Sequence, residues 1–221
     1  MIASEMISNV VPVLKRTDTC MQALNWMELF RVSHLPVVED GRYIGLLSDE
    51  AIYSHGESNE PIVCLEIQTE GTFVYEDYHI YDVIGLASRG LLSVVAVLRR
   101  NRSFMGSIEL TAILHKMDKL LCVDTPGGII VLEVNGINYS LAEVAQIVEY
   151  NEAKVLSCYV SDHPGSRKMH VTIKVNTLNI EPLLDTFLRY NYVIKNSFVT
   201  GDDSGDLYQE RYDQLMKYLS V

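Results

Sequence analysis

An internal repeat is the feature that most constrains the fold, because two stretches of the first 120 residues share one apolar pattern at an offset of 60. Residues 96–98 fall on residues 36–38, and residues 91–93 fall on residues 31–33. One inserted residue in the segment 99–102 then places Gly106 on Gly45. A fixed offset of this kind indicates two copies of one supersecondary unit whose apolar faces cover each other. The sequence therefore predicts two βαββα units, neither of them stable alone.

The stretch 33–52, SHLPVVEDGRYIGLLSDEAI, predicts strand, turn, strand and helix start. Pro36 cannot donate a ladder hydrogen bond, so it is expected at a strand's first residue or on an edge. Gly45 inside the second strand predicts the close approach of another backbone or of a ligand. Ser48 is the expected N-cap of the following helix, with Asp49 in the first turn. The unit is a β-hairpin that leads into a helix.

The elements before this hairpin and those after residue 126 complete the prediction. Residues 10–14 are expected to form a strand, and a helix capped by Asp18 or Thr19 follows. After a boundary at 126–128, the pattern predicts strands over 129–134, 154–160, 170–175 and 192–199, with helices between. Ser140 and Glu143 fit a capping box at the first of these helices. The order βαββαβ is the ferredoxin-like split pattern, so the chain is α+β.

Charge and composition exclude several classes of partner. A formal net charge of -11 opposes nucleic-acid binding, which needs clustered Lys and Arg. No apolar run approaches the roughly 20 residues that span a bilayer, and residues 1–11 lack the features of a signal peptide. The four cysteines are Cys20, Cys64, Cys122 and Cys158. They are far apart, with no CxxC pair and no nearby His at the spacing of metal ligands, and we expect them to be reduced, mostly buried thiols. We expect a soluble cytoplasmic protein with no membrane, metal or nucleic-acid partner.

No pattern of catalytic residues is present in the sequence. Ser161, Asp162 and His163 are the residue types of a hydrolytic triad, but consecutive residues cannot adopt the geometry of nucleophile, base and orienting group. The glycines match no phosphate-binding loop spacing. The chain is therefore expected to be non-catalytic and to require no cofactor.

The stretch 33–52 is similar to the signature of CBS domains, and two such units in tandem resemble a Bateman module. This resemblance implies a pseudo-twofold pair with two clefts that bind adenosine-containing ligands such as AMP, ATP or S-adenosylmethionine. In the family, a hydroxyl residue faces phosphate, and an Asp three residues later binds the ribose. Ser48 holds the hydroxyl position here, whereas Ala51 stands at the Asp position. In the second copy these positions are Glu109, which would repel phosphate, and Ala112.

The cleft of the first copy is accordingly the expected ligand site. The resemblance places its contacts in the segment before the first helix, at the start of the hairpin and at the helix start. The candidate ligand-binding residues are Val10, Val11, His34, Leu35, Pro36, Ser48 and Asp49.

The βαββαβ unit resembles ACT domains, which often pair side by side and sometimes bind amino acids. Residues 126–160 also resemble acetoin-utilization proteins of the AcuB type, which join two CBS domains to an ACT-like domain. The resemblance implies an effector-binding loop at Asn135 and Gly136; a purely structural turn is the alternative. The expected domains are 1–58 and 59–122 for the two CBS domains, 127–200 for the ACT-like domain, and 201–221 for an acidic linker with an amphipathic C-terminal helix.

Two functions are consistent with these observations. The first is a regulator that senses an adenosine nucleotide or a related adenosyl ligand through its CBS pair, with the ACT-like domain for dimerisation or effector binding. The second is a ligand-free dimerising scaffold with degenerate clefts. A homodimer is expected under both, together with a regulated enzyme or transporter as partner.

Overall fold

The computed structural model describes residues 1–8, 10–56, 59–135, 139–162 and 168–199. The chain divides into two compact units, Met1–Met117 and Asp118–Val221, and each is described by itself. The predicted C-terminal helix within 201–221 lies outside the described residues.

The first unit contains two copies of one α+β arrangement. Two short 3-10 helices, Ala3–Met6 and Ile62–Cys64, accompany the regular elements. The first copy comprises α1 (Cys20–Phe30), β1 (His34–Glu39), β2 (Arg42–Ser48) and α2 (Asp49–His55); the second comprises β3 (Phe73–Tyr75), α3 (Ile80–Gly90), β4 (Val94–Leu98), β5 (Phe104–Glu109) and α4 (Leu110–Leu121).

The two copies repeat the same local structure at the offset of 60 residues. Helix α1 is capped by the Thr19 side chain and α3 by that of His79. Both helices end at a left-handed residue, Arg31 with φ 54° and Leu91 with φ 49°. The predicted repeat is thus confirmed at the level of caps and helix ends.

The strand predicted over residues 10–14 is reduced to one residue. Leu14 alone bridges Val37 in parallel, at the position where Val74 of β3 bridges Val97 in the second copy. Pro36 lies inside β1, not at its first residue, but β1 is an edge strand of a two-stranded sheet, which is the other position predicted for Pro36. The Pro36 carbonyl accepts from the Leu14 N–H at 2.8 Å. Pro36 has no N–H and so cannot donate a hydrogen bond within a sheet. On the side of β1 away from β2, Leu14 is the one residue of 10–14 that bridges to the strand.

Each copy completes the hydrophobic core of the other. Val94 of the second copy is fully buried among core residues of the first, and Leu46 of the first is buried in the core of the second. Full burial of a Val or Leu side chain contributes about 1.5–3 kcal/mol relative to exposure. Separating the copies would expose both side chains, which supports the expectation that neither copy is stable alone.

Two segments outside the repeated elements, around Ala3 and around Gln68, hydrogen-bond to a copy of the unit. The Ala3 N–H donates to the Tyr78 carbonyl at 2.8 Å in the second copy. Correspondingly, Leu46 and Gln68 exchange two backbone hydrogen bonds of 2.8 and 3.1 Å on the first copy. The close approach predicted at Gly45 is this Gln68 backbone, because a Cβ at Gly45 would lie 2.7 Å from the Gln68 carbonyl oxygen.

The second unit has the ferredoxin-like order predicted from the sequence. Its elements are β6 (Gly128–Asn135), α5 (Leu141–Tyr150), β7 (Val155–Asp162), β8 (Lys168–Val175), α6 (Glu181–Arg189) and β9 (Val193–Val199). The four strands form one antiparallel sheet in the order β7-β8-β6-β9. Along β6 the buried side chains Ile130, Leu132 and Val134 alternate with half-buried ones, as the twofold strand period requires.

A buried lysine on the sheet binds residues 122–123 of its own unit. Lys174 is 6% exposed, and its ammonium donates to the carbonyls of Cys122 and Val123 at 2.5 and 2.8 Å. A positive charge is favourable where a helix ends in unpaired carbonyl oxygens. Both carbonyls belong to the second unit, so this pair of hydrogen bonds holds residues 122–123 on that unit's own sheet.

Candidate functional site

Ser48 is the N-cap of α2, as the sequence predicts. Its hydroxyl accepts from the Ala51 N–H at 3.2 Å. The two preceding amides of this turn are also bonded: the Asp49 N–H donates to the Ser33 carbonyl at 3.0 Å, and the Glu50 N–H donates to Asp49 Oδ1 at 2.8 Å. The start of α2 is consequently saturated by the protein's own acceptors.

A surface cleft of about 470 Å³ lies beside this turn, and we call it the first cleft. Its walls are one face of α2 and the segment that leads to the second copy. The lining residues are Ser48, Glu50, Ala51, Ser54, His55, Cys64, Leu65 and Glu66. Pockets for small molecules commonly enclose about 300–1,000 Å³, so the first cleft has the capacity for a nucleoside-sized ligand.

The first cleft is acidic. Glu50 and Glu66 are exposed carboxylates on its walls, and none of its eight described lining residues is Lys or Arg. His55 supplies the remaining titratable nitrogen, and its Nε2 lies 2.8 Å from Glu60 Oε2. The electrostatic field in the cleft therefore favours a neutral or positively charged group.

The other candidates of the first copy lie away from the first cleft's lining. Leu35 is completely buried in the first-copy core, and Val11 is 7% exposed in the same cluster. Val10 is 60% exposed, and its N–H donates to the Ser8 hydroxyl at 3.3 Å. Pro36 is buried within β1. The structure thus brings Ser48, among the predicted ligand residues, to the first cleft.

His34 lies at the junction of the two copies. Its Nδ1 accepts from the Ser93 N–H at 3.3 Å and lies 3.1 Å from the Ser93 hydroxyl and 3.0 Å from the Ser33 hydroxyl. Burial lowers the pKa of His34 below its ordinary value, against an opposing influence of the Asp49 carboxylate. His34 is therefore a hydrogen-bonded junction residue that stays neutral near pH 7.

Glu109 occupies the equivalent of the Ser48 position in the second copy. The Ser8 hydroxyl donates to Glu109 Oε1 at 2.9 Å, and the Thr111 hydroxyl donates to its Oε2 at 3.3 Å. A charged carboxylate held by two protein hydroxyls at this position disfavours a phosphate.

Sequence reasoning missed the lining residues Ser54, His55, Cys64, Leu65 and Glu66. Residues 54–61 form a polar stretch between the two copies, whose composition indicates a linker, and residues 64–66 carry no motif that points to a site. Backbone hydrogen bonds from Ile62 and Val63 to residues before α1 place this segment on the first copy. The apolar run around Ile62 was the available signal.

The second unit carries its own cavity, of about 440 Å³, at the end of β6. Asn135 lines it, whereas Gly136 lies outside the described residues. Lys168 Nζ donates to Glu133 Oε1 at 2.6 Å, and this lysine lowers the pKa of Glu133. The cavity has both a carboxylate and an ammonium on its wall, which suits a small polar ligand.

Of the two hydrogen bonds of the capping box predicted at α5, the one from Ser140 is formed and the one from Glu143 is not. Ser140 caps the helix by accepting from the Glu143 N–H at 3.3 Å. The Glu143 carboxylate instead accepts from the Tyr192 hydroxyl at 2.6 Å, on the wall of the second unit's cavity. Burial, together with this carboxylate, raises the pKa of Tyr192. Tyr192, which is distant along the chain, thus takes the carboxylate that would have accepted from the backbone N–H of Ser140.

The cysteines are free and differ in exposure. Cys20 is buried, Cys122 and Cys158 are partly buried, and Cys64 is exposed, contrary to the expectation of mostly buried thiols. Burial raises the pKa of Cys20 and Cys158, which keeps both thiols protonated. Within the described ranges, no group of three His, Cys, Asp or Glu side chains is arranged to hold a metal ion.

The helices of the described segments are too short or too polar to cross a bilayer.

Comparison with known proteins supports the interpretation of the first copy. Residues 3–57 match the family model of the CBS domain. This match confirms the part of the resemblance that rests on the hairpin and helix of residues 33–52.

Several solved structures are similar to this chain. A CBS domain pair/ACT domain protein from Thermotoga maritima is 15% identical over 53% of this chain and 96% of that one, with a TM-score of 0.48. The CBS domains of a transcriptional regulator from Streptococcus pneumoniae are 16% identical over 52% and 98%, with a TM-score of 0.46. A CBS domain protein from Thermoplasma acidophilum is 24% identical over 52% and 68%, with a TM-score of 0.45.

Proposed function

We propose that this chain is a non-catalytic cytoplasmic regulator that senses an adenosine-containing small molecule in the first cleft. The observation that carries the proposal is a cleft of about 470 Å³ beside Ser48, the hydroxyl position of the CBS signature. The AcuB-type relationship and a regulated enzyme or transporter as partner are parts of the same proposal.

The position of the first cleft provides a mechanism for signalling. One wall belongs to α2 of the first copy, and the other, residues 64–66, belongs to the segment that runs on to β3 of the second copy. Residues 62–68 pack on the first copy, so a ligand that contacts both walls binds most tightly at one position of this segment against α2, and the segment continues to β3. Ligand binding therefore shifts the population toward that arrangement, by as much as its affinities for the two arrangements differ.

A thermal-shift screen tests the proposal most directly. Adenosine, AMP, ADP, ATP and S-adenosylmethionine are added at millimolar concentration, and a ligand that binds only the folded state raises the melting temperature. Ser54→Phe, which fills the first cleft from α2, is expected to abolish the shift. Tyr53→Phe is the matched control, because Tyr53 is 70% exposed on the same helix and does not line the cleft. No shift with any of the five ligands would contradict a sensor of this class.

The second candidate function is the ligand-free dimerising scaffold. Ala51 and Ala112 lack the ribose-binding carboxylate, and Glu109 is held by Ser8 and Thr111. These features favour a pair of clefts that no longer binds nucleotides. A protein that fails the ligand screen and remains a stable dimer would support this alternative.

We place the homodimer contact of either candidate at a groove between α3 and α4. The groove has a volume of about 420 Å³ and is almost entirely apolar. Leu91 and Leu114 on its rim are 85% and 60% exposed, a large exposure for leucines in one patch. An isologous contact would bury this patch against its own copy.

Light scattering with surface variants tests this contact. The wild-type chain is expected to be dimeric, and Leu114→Glu is expected to make it monomeric. Leu29→Glu is the control, because Leu29 is 72% exposed on α1, outside the groove, and its substitution should leave the dimer intact. A monomeric wild-type protein would refute the dimer.

A further inference from the structure

One face of the second unit's sheet is only partly covered by the residues that the structure describes. Helices α5 and α6 both pack on the face formed by the buried side chains of β6. The alternate side chains of each strand point to the opposite face. On that face, residues 121–123 lie over β7 and β8, where the Ser157 hydroxyl donates to the Leu121 carbonyl at 3.0 Å and Lys174 donates to the next two carbonyls.

The remaining part of this face, on β6 and β9, is rich in exposed apolar side chains. Phe198 of β9 lies beside Ile129 of β6, and Val193 lies beside Glu133. Phe198 and Val193 are 54% and 55% exposed, and Ile129 is partly exposed between buried neighbours. We call the apolar side chains of this surface the open patch: Ile129, Val131, Val193 and Phe198. An exposed apolar surface of this kind is typical of a docking site.

The sequence that follows β9 has a complementary pattern. Tyr208, Tyr212, Leu215 and Leu219 are spaced by four, three and four residues, which places them on one face of a helix. Asp206 before them is a preferred N-cap residue. We infer that residues 207–221 form a helix whose apolar side docks on the open patch of the same chain. This docking is independent of the ligand proposed for the first cleft.

The chain leaves the sheet at the edge of the open patch. Val199, the last residue that the structure describes, pairs with Gly128 and directly follows Phe198. Residues 200–207 can span up to roughly 26 Å when extended, which is enough for the chain to reverse its direction over the sheet. Residues 208–219 would form a helix about 18 Å long, and Phe198 lies about 17 Å from Val193 along β9. The helix therefore matches the length of the open patch.

The short connection favours the chain's own segment over any other occupant. A flexible linker of this length holds a tethered segment at an effective concentration of about 1 mM. A contact with a dissociation constant of only about 0.1 mM would then be formed in about nine-tenths of the molecules. The same segment of a second copy, present at micromolar concentration, would compete poorly for the open patch.

Hydrogen–deuterium exchange of the full chain tests the docking. Amides of a docked helix exchange when the helix leaves its surface, so the docked fraction sets their protection. We expect the amides of residues 208–219 to exchange about tenfold more slowly in the full chain than in a synthetic peptide of residues 200–221.

Glutamate substitutions on both surfaces identify the contact. Phe198→Glu should raise the exchange rate of the segment to that of the peptide. Leu188→Glu is its control and should leave exchange slow, because Leu188 is 56% exposed on α6, which packs on the other face of the sheet. Within the segment, Leu215→Glu should act like Phe198→Glu, whereas Gln214→Glu adds the same charge away from the apolar side and should have no effect. A retained cooperative thermal transition shows that each variant is folded.

The other outcomes would overturn the docking. Exchange of the segment at the peptide's rate in the wild-type chain would show that the helix does not dock. Slow exchange that persists in both Phe198→Glu and Val193→Glu would place the helix on another surface. Leu114→Glu, the variant expected to be monomeric, should retain slow exchange between about 1 and 100 µM protein. Protection that appears only in the dimer, or that rises with concentration, would assign the open patch to a second copy.

Discussion

Gly45 provides the most direct test of how the two copies are joined. It is buried in β2, where the backbone of residues 67–68 crosses the first copy. A Cβ at this position would lie 2.6 Å from Ile67 Cγ2 and 2.7 Å from the Gln68 carbonyl oxygen. The second of these atoms belongs to the backbone, so it cannot be moved by a change of rotamer. Gly45→Ala must therefore displace the crossing segment.

The cost follows from what that displacement breaks. Leu46 and Gln68 exchange two backbone hydrogen bonds, which together contribute about 2 kcal/mol. Overpacking of a buried site costs a further 1–3 kcal/mol, roughly. The lower entropy of alanine in the unfolded chain offsets about 0.5–1 kcal/mol. We expect Gly45→Ala to lower the free energy of unfolding by about 2–4 kcal/mol.

Urea unfolding followed by tryptophan fluorescence measures this effect in the first unit alone. The chain has 1 tryptophan, Trp26, which lies on α1 against the first-copy core. With a slope of about 1–3 kcal/mol per molar urea, the midpoint should fall by about 1 M or more.

Gly85→Ala is the matched control for Gly45→Ala. A Cβ at Gly85 in α3 would meet Arg89 Nη1 at 3.1 Å, the mobile end of a long side chain. Alanine is the better helix former by about 1 kcal/mol, so this variant should be neutral or more stable than wild type. A Gly45→Ala protein within about 0.5 kcal/mol of wild type would refute the crossing of residues 67–68 against β2.

Three further outcomes are expected. Ser107 is 1% exposed, and its hydroxyl has no hydrogen-bond partner among the described residues. Ser107→Ala should therefore raise the free energy of unfolding by up to about 1 kcal/mol in the tryptophan assay. A loss of stability would instead show that the hydroxyl has a partner. Lys174→Met should destabilise the second unit by about 2–3 kcal/mol in urea unfolding followed by circular dichroism. Lys154→Met, which removes an exposed ion pair, should change stability by less than about 0.5 kcal/mol, and equal effects of the two substitutions would contradict the buried contact. Because the pKa of His34 is lowered in the folded state, the unfolded chain binds this proton more readily, and the stability of the first unit should fall as pH decreases below about 6.5. His34→Gln should flatten that pH dependence, and an unchanged slope would assign it to another group.

The architecture was predictable because local patterns determine it. The 60-residue offset predicted both copies, and the helix starts at Cys20 and Ile80 differ by that number. Ser48 and Ser140 were predicted as N-caps from their residue type and position, and both hydroxyls accept the expected amides. Caps and periodicities involve residues three or four apart, so the sequence alone contains the information.

The ligand site was less predictable. Of the first-copy candidates, Ser48 lines the first cleft, whereas Leu35 and Val11 belong to the core. The opposite wall, which includes Leu65 and Glu66, comes from a segment to which the sequence pattern assigned no role. Its pairing with the first copy joins residues 62 and 63 to residues 18 and 16, which are distant along the chain, and the local pattern does not specify such a pairing.

Sequence by itself determined the repeated α+β units, their caps and the ferredoxin-like order of the second unit, because these follow from apolar periodicity and short-range hydrogen bonds. Only the tertiary structure decided the exchange of Val94 and Leu46 between cores, which backbone approaches Gly45, and the partner of Glu143. These contacts join residues distant along the chain. Their energies depend on which surfaces meet, and that is settled when the helices and strands of each unit pack together.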